Sequence, residues 1–420
     1  MGDVARIHSQ AEQSLFAAFD AAGLEGGTRA ASIEALKTDG LPTRRVESFH
    51  YTDLRARLRG DFKVAPKPAN DVARSAGAAF PRLVPDASVQ HFRDGHHVDF
   101  GEDVPADVTV REGVPSLDIA KGVDDTLLRL NDAFAQGGVS ITVEDGANVE
   151  RVIGLAHTPT AGEGTLAAMR WTIDAGAGSS SRFIERGVGP NGEAYLSSTA
   201  VQVNVGAGAT VDYVISNEEG DAATRLARFS ARLAKDATLN LFVLNAGGHL
   251  VRQEVHVEVA GEGAHLGLRG VNLVGGDSHV DVTTVLHHRV PHTTAEETFR
   301  NVCVGEGKGV FQGRINVNQP AQKTDAQMSC RTLLLSDDAE FNAKPELEIF
   351  ADDVVCAHGA TVADIEDAYI FYLRSRGISE ARARQMLTRA FVAEVVEELE
   401  DDVIVEALER RIDAWMEANI

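Results

Sequence analysis

The sequence predicts a mainly β protein, a β-helix body with helical regions at both ends, and three observations predict it. From about Asp107, short stretches rich in β-branched residues alternate with turns built from Gly, Asp or Asn. These turns are EDGANV near Gly146, DAGAGS near Gly178, VGAGATV near Gly208, AKDATL near Asp236, AGEGAHL near Gly263 and VGEGKGV near Gly307. Most recur at roughly thirty-residue intervals, within the range of stacked repeats. Helical periodicity is almost absent from this region and returns only outside it. A sandwich would need hairpin signals about every 8–12 residues, so strands stacked as a solenoid account better for the spacing.

The elements follow in chain order. Ala11 to Ala22 places Leu15, Phe16 and Phe19 on one stripe, with Gly23 as a stop, and predicts a helix. Ala30 to Lys37 predicts a second, ended by the turn Asp39-Gly40-Leu41-Pro42. A Pro- and Ala-rich connector, Val64 to Ala69, comes next, and no period dominates from there to about residue 100. In the β body the coil pattern is a small-residue turn and then alternation, as in Ala209-Thr210-Val211-Asp212-Tyr213. After Thr361 the period turns helical. Asp364 to Ser375 carries Ile365, Ala368, Tyr369 and Tyr372 on one side, Gly377 is a natural C′ residue, and Ser379 is a natural N-cap. The next helix carries Met386, Leu387, Ala390, Phe391 and Val395. An acidic break from Glu397 to Asp402 precedes a last amphipathic helix through Leu408, Ile412 and Trp415. The expected parts are 1–90 (helical), 91–360 (β) and 361–420 (helical).

Composition narrows the function. The 420 residues are 44% hydrophobic and 25% charged, as in a soluble globular protein. The formal net charge of −23 repels phosphate backbones and anionic lipid, and no dense Lys/Arg cluster overrides it, so neither nucleic acid nor membrane is an expected partner. MGDVARIHSQAEQ lacks a basic region followed by an apolar core, and no apolar run is long enough to cross a bilayer. Three cysteines argue against a disulfide framework and for a reducing compartment, so the expected location is cytoplasmic.

The chemistry concentrates in ADDVVCAHGATV. In a strand, positions i and i+2 share a face, so Cys356 and His358 project side by side while Asp353 leaves on the other face. The bland alternative makes Cys356 a small buried hydrophobe and His358 a hydrogen-bonded turn residue. Cys303, Cys330 and Cys356 are 27 and 26 residues apart, close to one coil, so they could stack as a thiol row. LHHRVPH holds His287, His288 and His292. Pro291 breaks any helical pairing and adjacent strand histidines face opposite ways, so an exposed polar strand with its turn is the expectation. VCVGEGKG, from Val302 to Gly309, fails as a phosphate loop. Val302 stands where the first Gly belongs and Gly309 where Ser or Thr must hold Mg²⁺, so no nucleotide site is expected. Asp352 and Asp353 are adjacent in sequence and diverge in a strand.

Five segments together carry a resemblance: GLPTRRVESFHYTDLR from Gly40, VFQGRINV from Val310, AQKTDAQ from Ala321, LLLSDDAEFNAKPELEIFADDVVCAHGATV from Leu333, and FYLRSRGI from Phe371. Read as a set, the chain closely resembles the SufD family of the SUF iron–sulfur cluster assembly system. The densest match runs from Gly309 to Ile378. Its paralogue family, SufB, is longer and often carries an N-terminal cysteine cluster, whereas this chain has no cysteine before Cys303. Phe49, His50, Phe341 and Ala343 depart from the family pattern. The resemblance implies a right-handed parallel β-helix core, a non-catalytic role, edge-to-edge pairing with a SufB-like paralogue, and docking of a SufC-like ABC ATPase on residues 361–420. It leaves open a homodimer of the isolated chain. It also implies that His358, with Cys356, contributes to a nascent iron–sulfur cluster at the junction, His358 as an iron ligand. Such clusters take four ligands, so one chain with two offers half a site. The competing class is a stand-alone β-helix enzyme on acidic polysaccharide with Asp352 and Asp353 as catalytic groups; the acidic charge and scarce aromatics oppose it.

Overall fold

The computed structural model describes residues 7–68, 82–98, 103–117, 125–160 and 162–420. The first six residues and the end of the Val64–Ala69 connector lie outside these. Helices α1 (Gln10–Ala21), α2 (Gly27–Asp39) and α3 (Leu54–Arg57) open the chain. Ser9 caps α1 in a reciprocal box with Glu12, and Gly23 takes φ 61° just past its end. Strands β1 (Lys63–Val64), β2 (Ser88–Arg93), β3 (His96–Val98) and β4 (Val108–Glu112) follow, then α4 (Thr126–Phe134).

The body then runs through β5 (Gly137–Val143), β6 (Ile153–Thr158), β7 (Thr165–Ala175), β8 (Ser180–Val188), β9 (Leu196–Val205) and β10 (Thr210–Glu218). It continues with β11 (Thr224–Leu233), β12 (Thr238–Asn245), β13 (Leu250–Val259), β14 (His265–Val274) and β15 (His279–His288). β16 (Thr294–Cys303), β17 (Lys308–Val317), β18 (Asp325–Leu334), β19 (Glu340–Ile349) and β20 (Val355–Ala363) complete it. Successive strands alternate between two sheets, β19 to β4 through the odd strands and β20 to β3 through the even ones. From β5 onward neighbours within a sheet are parallel, which makes a parallel β-solenoid of about eight coils. Coil length is near the predicted thirty: Thr224 pairs with Leu250, 26 residues on, and Lys308 with Glu340, 32 on.

One corner explains the turns. Gly146, Gly178, Gly208, Asp236, Gly263, His292 and Lys323 all take positive φ between 53° and 77°. Their amides reach across the stack: Gly208 N–H donates to Lys235 O at 2.8 Å, Asp236 N–H to Glu262 O at 2.9 Å and His292 N–H to Gln322 O at 3.0 Å. The left-handed conformation aims each N–H along the coil axis, so the corner favours Gly, with Asp, His or Lys tolerated.

The lumen between the sheets is filled by alternating apolar residues such as Val211, Tyr213, Phe229, Leu241, Val257 and Phe299. Each sheet's outer face is also covered. Helices α1, α2 and α4 pack on the odd sheet against Leu166, Leu196, Leu226 and Leu250. Helix α4, only nine residues long and set in the stretch read as β, was not foreseen, although its residues are buried all round. Its Asn131 Nδ2 donates to Met169 O at 2.9 Å, and its Asp132 takes Arg170 at 3.1 Å. The Gly40 segment lies further along this face. Phe49 is fully buried beneath the Arg252 guanidinium, 4.5 Å from ring centroid to Cζ, and Ser48 O accepts from Arg252 at 2.8 Å.

After β20 come α5 (Asp367–Ser375), α6 (Glu380–Val396) and α7 (Asp402–Asn419). Helices α6 and α7 dock on the even sheet, with Val392, Val395, Val396, Leu408 and Ile412 meeting Val214, Phe242, Val271 and Val302. The acidic break between them is clamped by two ion pairs, Arg182 with Asp401 and Arg269 with Glu398, and α6 itself is held by Arg300 on Glu394 at 2.8 Å.

Candidate functional site

Cys356 and His358 lie on β20, the outermost strand of the even sheet, and they share a face as their spacing predicts. Cys356 pairs with Ala326 and His358 with Met328, both lumen-facing residues of β18. Their own coil is the last, so the lumen opens beside them: Cys356 is half-buried and His358 exposed. Burial raises the Cys356 thiol, and nearby Asp325 adds to this, while a hydrogen bond from the Ala326 backbone opposes it. A thiol held this way becomes a strong ligand once a metal displaces its proton.

The two ends of the solenoid differ. At the first end the sheets finish in β3 and β4, three and five residues long and antiparallel to their neighbours. At the last end they finish in β19 and β20, ten and nine residues long, with no further strand beside them among the described residues. Pro345 lies in β19, as a residue without an N–H donor can on an edge strand. Around this end Ile349, Phe350, Val355 and Val362 are exposed, Phe350 and Val355 at 63% each. Long unpaired edges are templates for another sheet, and β20, which holds no Lys, Arg, Asp or Glu, is less guarded than β19, which holds Glu340, Lys344, Glu346 and Glu348. Close by, α5 turns Tyr369, Phe371 and Tyr372 outward, Phe371 at 75% exposure.

The other sequence candidates resolve as follows. The cysteines all occupy the even sheet but do not stack. Cys330 pairs with Phe299 and Ala360, whereas Cys303 pairs with Leu334 and Cys356 with Ala326. Each sulfur is therefore displaced by four residues from its neighbour's row, roughly 13 Å along the strand, too far for direct exchange. The near-thirty coil is longer than the 26- and 27-residue spacing, and the difference accumulates as this slip. Burial pushes both the Cys303 and Cys330 thiols up to about 12.

LHHRVPH is only partly the exposed strand expected. His287 and His288 do face opposite sides, but His288 is fully buried, bonded to Thr293 Oγ1 at 2.8 Å and pushed down to about 4 by burial. His292 is a corner residue of the turn stack. VCVGEGKG is the β16–β17 connection, and its Lys308 pairs with Glu340 at 3.1 Å. Asp353 is ion-paired with Lys323, and its amide donates to Gln322 Oε1 at 2.9 Å, so it stands as a turn residue beside the exposed Asp352.

Sequence reasoning missed the polar groups inside the lumen. Arg225 is fully buried, meeting Glu185 at 2.5 Å, Glu219 at 3.1 Å and His157 Nε2 at 2.9 Å. Tyr213 donates to Glu185 at 3.2 Å and receives Trp171 Nε1–H at 2.9 Å. A second series is an amide ladder. Asn245 Nδ2 donates to Asn272 at 2.8 Å, Asn272 to Asn301 at 2.8 Å, and Asn301 to the Cys330 sulfur at 3.3 Å. Glu297 is the third: 1% exposed, with burial pushing its carboxyl up to about 7 against a modest opposing effect of Thr284. Alternation was the available signal for those in strands, since Glu185, Tyr213, Arg225, Asn272, Glu297 and Asn301 take lumen-facing positions among same-parity apolar neighbours.

Comparison with known proteins agrees with this architecture. Residues 157–391 match the family described as SUF system FeS cluster assembly, SufBD core domain. The chain is 31% identical over 418 residues to the iron–sulfur cluster assembly protein SufD of Escherichia coli, covering 96% of each. It is 29% identical over 210 residues to a SufBD family protein of Synechocystis, and 30% over 217 residues to the chloroplastic protein ABCI7 of Arabidopsis thaliana. These matches span about half of this chain and 46% of either relative.

Proposed function

Because this chain belongs to the SufBD family as a SufD-like subunit of SUF iron–sulfur cluster assembly, we propose that its last coil forms one wall of a shared assembly site. His358 binds iron of the nascent cluster, and Cys356 beside it supplies a second ligand. The remaining ligands come from a SufB-like paralogue whose own sheets continue those of this chain across β19 and β20. The cluster is cargo, held during assembly and passed on.

The observation that carries this reading is the uncovered last coil, where two long unpaired edges surround the one thiol–imidazole pair on a shared strand face. A strand edge of nine or ten residues offers a full set of backbone donors and acceptors to a partner. Two ligands on one side and the rest across the junction complete a four-ligand shell. In the isolated chain the same edges pair copies with each other.

The chain itself performs no catalysis and binds no nucleotide. A SufC-like ABC ATPase supplies hydrolysis by docking on residues 361–420, where α5 presents Tyr369, Phe371 and Tyr372. Helices α6 and α7 are clamped to the even sheet, the sheet that carries β20, so force applied to the helices reaches the assembly site through packed structure. Within the N-terminal part, 1–90, helices α1 and α2 and the Gly40 segment latch the odd sheet, and 91–360 form the scaffold. The acidic surface and the thiol usage suit the cytoplasm.

His358→Ala tests the reading. The side chain is exposed, so thermal stability should stay within the range of a surface change, about ±0.5 kcal/mol. Cluster formation on the complex with SufB-like and SufC-like partners should fall several-fold. Wild-type cluster yield from the variant complex would refute it.

A further inference from the structure

Beneath the open end the lumen holds a carboxyl that burial leaves poorly satisfied. Neither oxygen of Glu297 has a partner at hydrogen-bond distance among the described residues, and its one polar neighbour, the Thr284 hydroxyl, interacts only weakly with it, lowering the carboxyl slightly against burial. Register fixes the surroundings. Glu297 pairs with Met328 and Met328 with His358, so these three residues form one row from the core to the open end. Cys330 lies two residues beyond Met328 on the same face, a diagonal neighbour of Glu297 about 7–8 Å away between Cα atoms. Gly313 makes room for the Met328 side chain, since a Cβ there would come within 2.6 Å of its sulfur.

A carboxyl left bare in a core is a liability unless its partner arrives from elsewhere. We propose that Glu297 and Cys330 form an interior site for one divalent first-row transition cation, with Thr284 Oγ1 and Met328 Sδ as further donors. One carboxylate and one thiolate balance the double charge. The cation enters as the carboxyl and the thiol each release a proton, so the filled site is neutral. A thiolate and a thioether beside a single carboxylate select ferrous, cobalt or zinc ions over magnesium or calcium. The Asn301 N–H on the Cys330 sulfur supports the ligand from behind, the usual role of an outer hydrogen bond at a metal site. Met328, long and flexible, is the gate between this site and His358. That the ion goes on to the assembly site rests on the function proposed above; its binding here does not.

The test is anaerobic titration of the full chain with cobalt(II) chloride in a Cys356→Ser background, so that thiolate-to-cobalt charge-transfer absorption reports interior sulfur. The parent should develop the band, and adding Cys330→Ala or Glu297→Gln should weaken cobalt binding by about tenfold or more. Circular dichroism checks the fold, and Glu297→Gln keeps the side-chain volume should the cysteine variant misfold. No band in the parent, or a band that survives Glu297→Gln, overturns the proposal. His358→Ala is titrated alongside: retained cobalt binding with normal cluster formation would sink the assembly reading and leave this site standing.

Discussion

Glu297 is a residue whose proton the fold has to hold. Its folded carboxyl is pushed to about 7 from an ordinary 4.5, so the native state binds the proton more tightly than the unfolded chain. Its contribution is fully present below about pH 4.5 and is lost as pH rises through about 7. A shift of that size is worth about 3 kcal/mol. Glu297→Gln should remove this slope, so the variant should gain on wild type between pH 4.5 and 8 in urea unfolding; parallel stability profiles for the two would contradict the assignment. In TAEETFRNVC only the alternation of Ala295, Glu297 and Phe299 separates the buried carboxyl from its exposed neighbour Glu296. Cys356 and His358 were legible because i, i+2 geometry needs nothing beyond the strand itself. The interior carboxyl needed the coil register, which the sequence carries only as an approximate period.

Among the elements, the asparagine ladder crosses four strands, β10, β12, β14 and β16, at one lumen position. Asn272 both donates and accepts within it. Asn272→Ala should leave its neighbours short of a partner and cost about 1–3 kcal/mol, read as a lower thermal midpoint; an unchanged midpoint would mean that water or a neighbour takes over those bonds. The helices were legible in place and order, but the stripes were less so. In α6 the buried side runs through Ala383, Thr388, Val392, Val395 and Val396, whereas Met386 and Ala390 face outward. Tyr369 and Tyr372 of α5 share the predicted side but stay more than half exposed in this chain. A hydrophobic stripe announces that a surface will be covered, not which molecule covers it. Phe371→Glu should leave the isolated chain's thermal midpoint unchanged and abolish co-purification with the SufC-like ATPase. Retained co-purification would move the docking surface elsewhere.

For the whole molecule, the solenoid was legible because one turn chemistry repeats at every coil, and a left-handed corner residue is hard to disguise in sequence. The slip of the cysteines was not, since coils of 26 to 32 residues differ by enough to move a side chain off its row. The coverage of both outer faces was also hidden. The acidic break reads as linker until Arg182 and Arg269 are seen beneath it.

The bare last coil also bears on the chain's life before assembly. A solenoid is held coil by coil, each stabilised mainly by its neighbours, so the terminal coil has a neighbour on one side only and is the first to fray. A newly made chain is then a supply problem. Left unpaired, it displays two long strand edges, β20 the less charged of them, competent for aggregation and for recognition by chaperones and proteases. On the pairing proposed above, matched production of the two subunits follows from the geometry of β19 and β20.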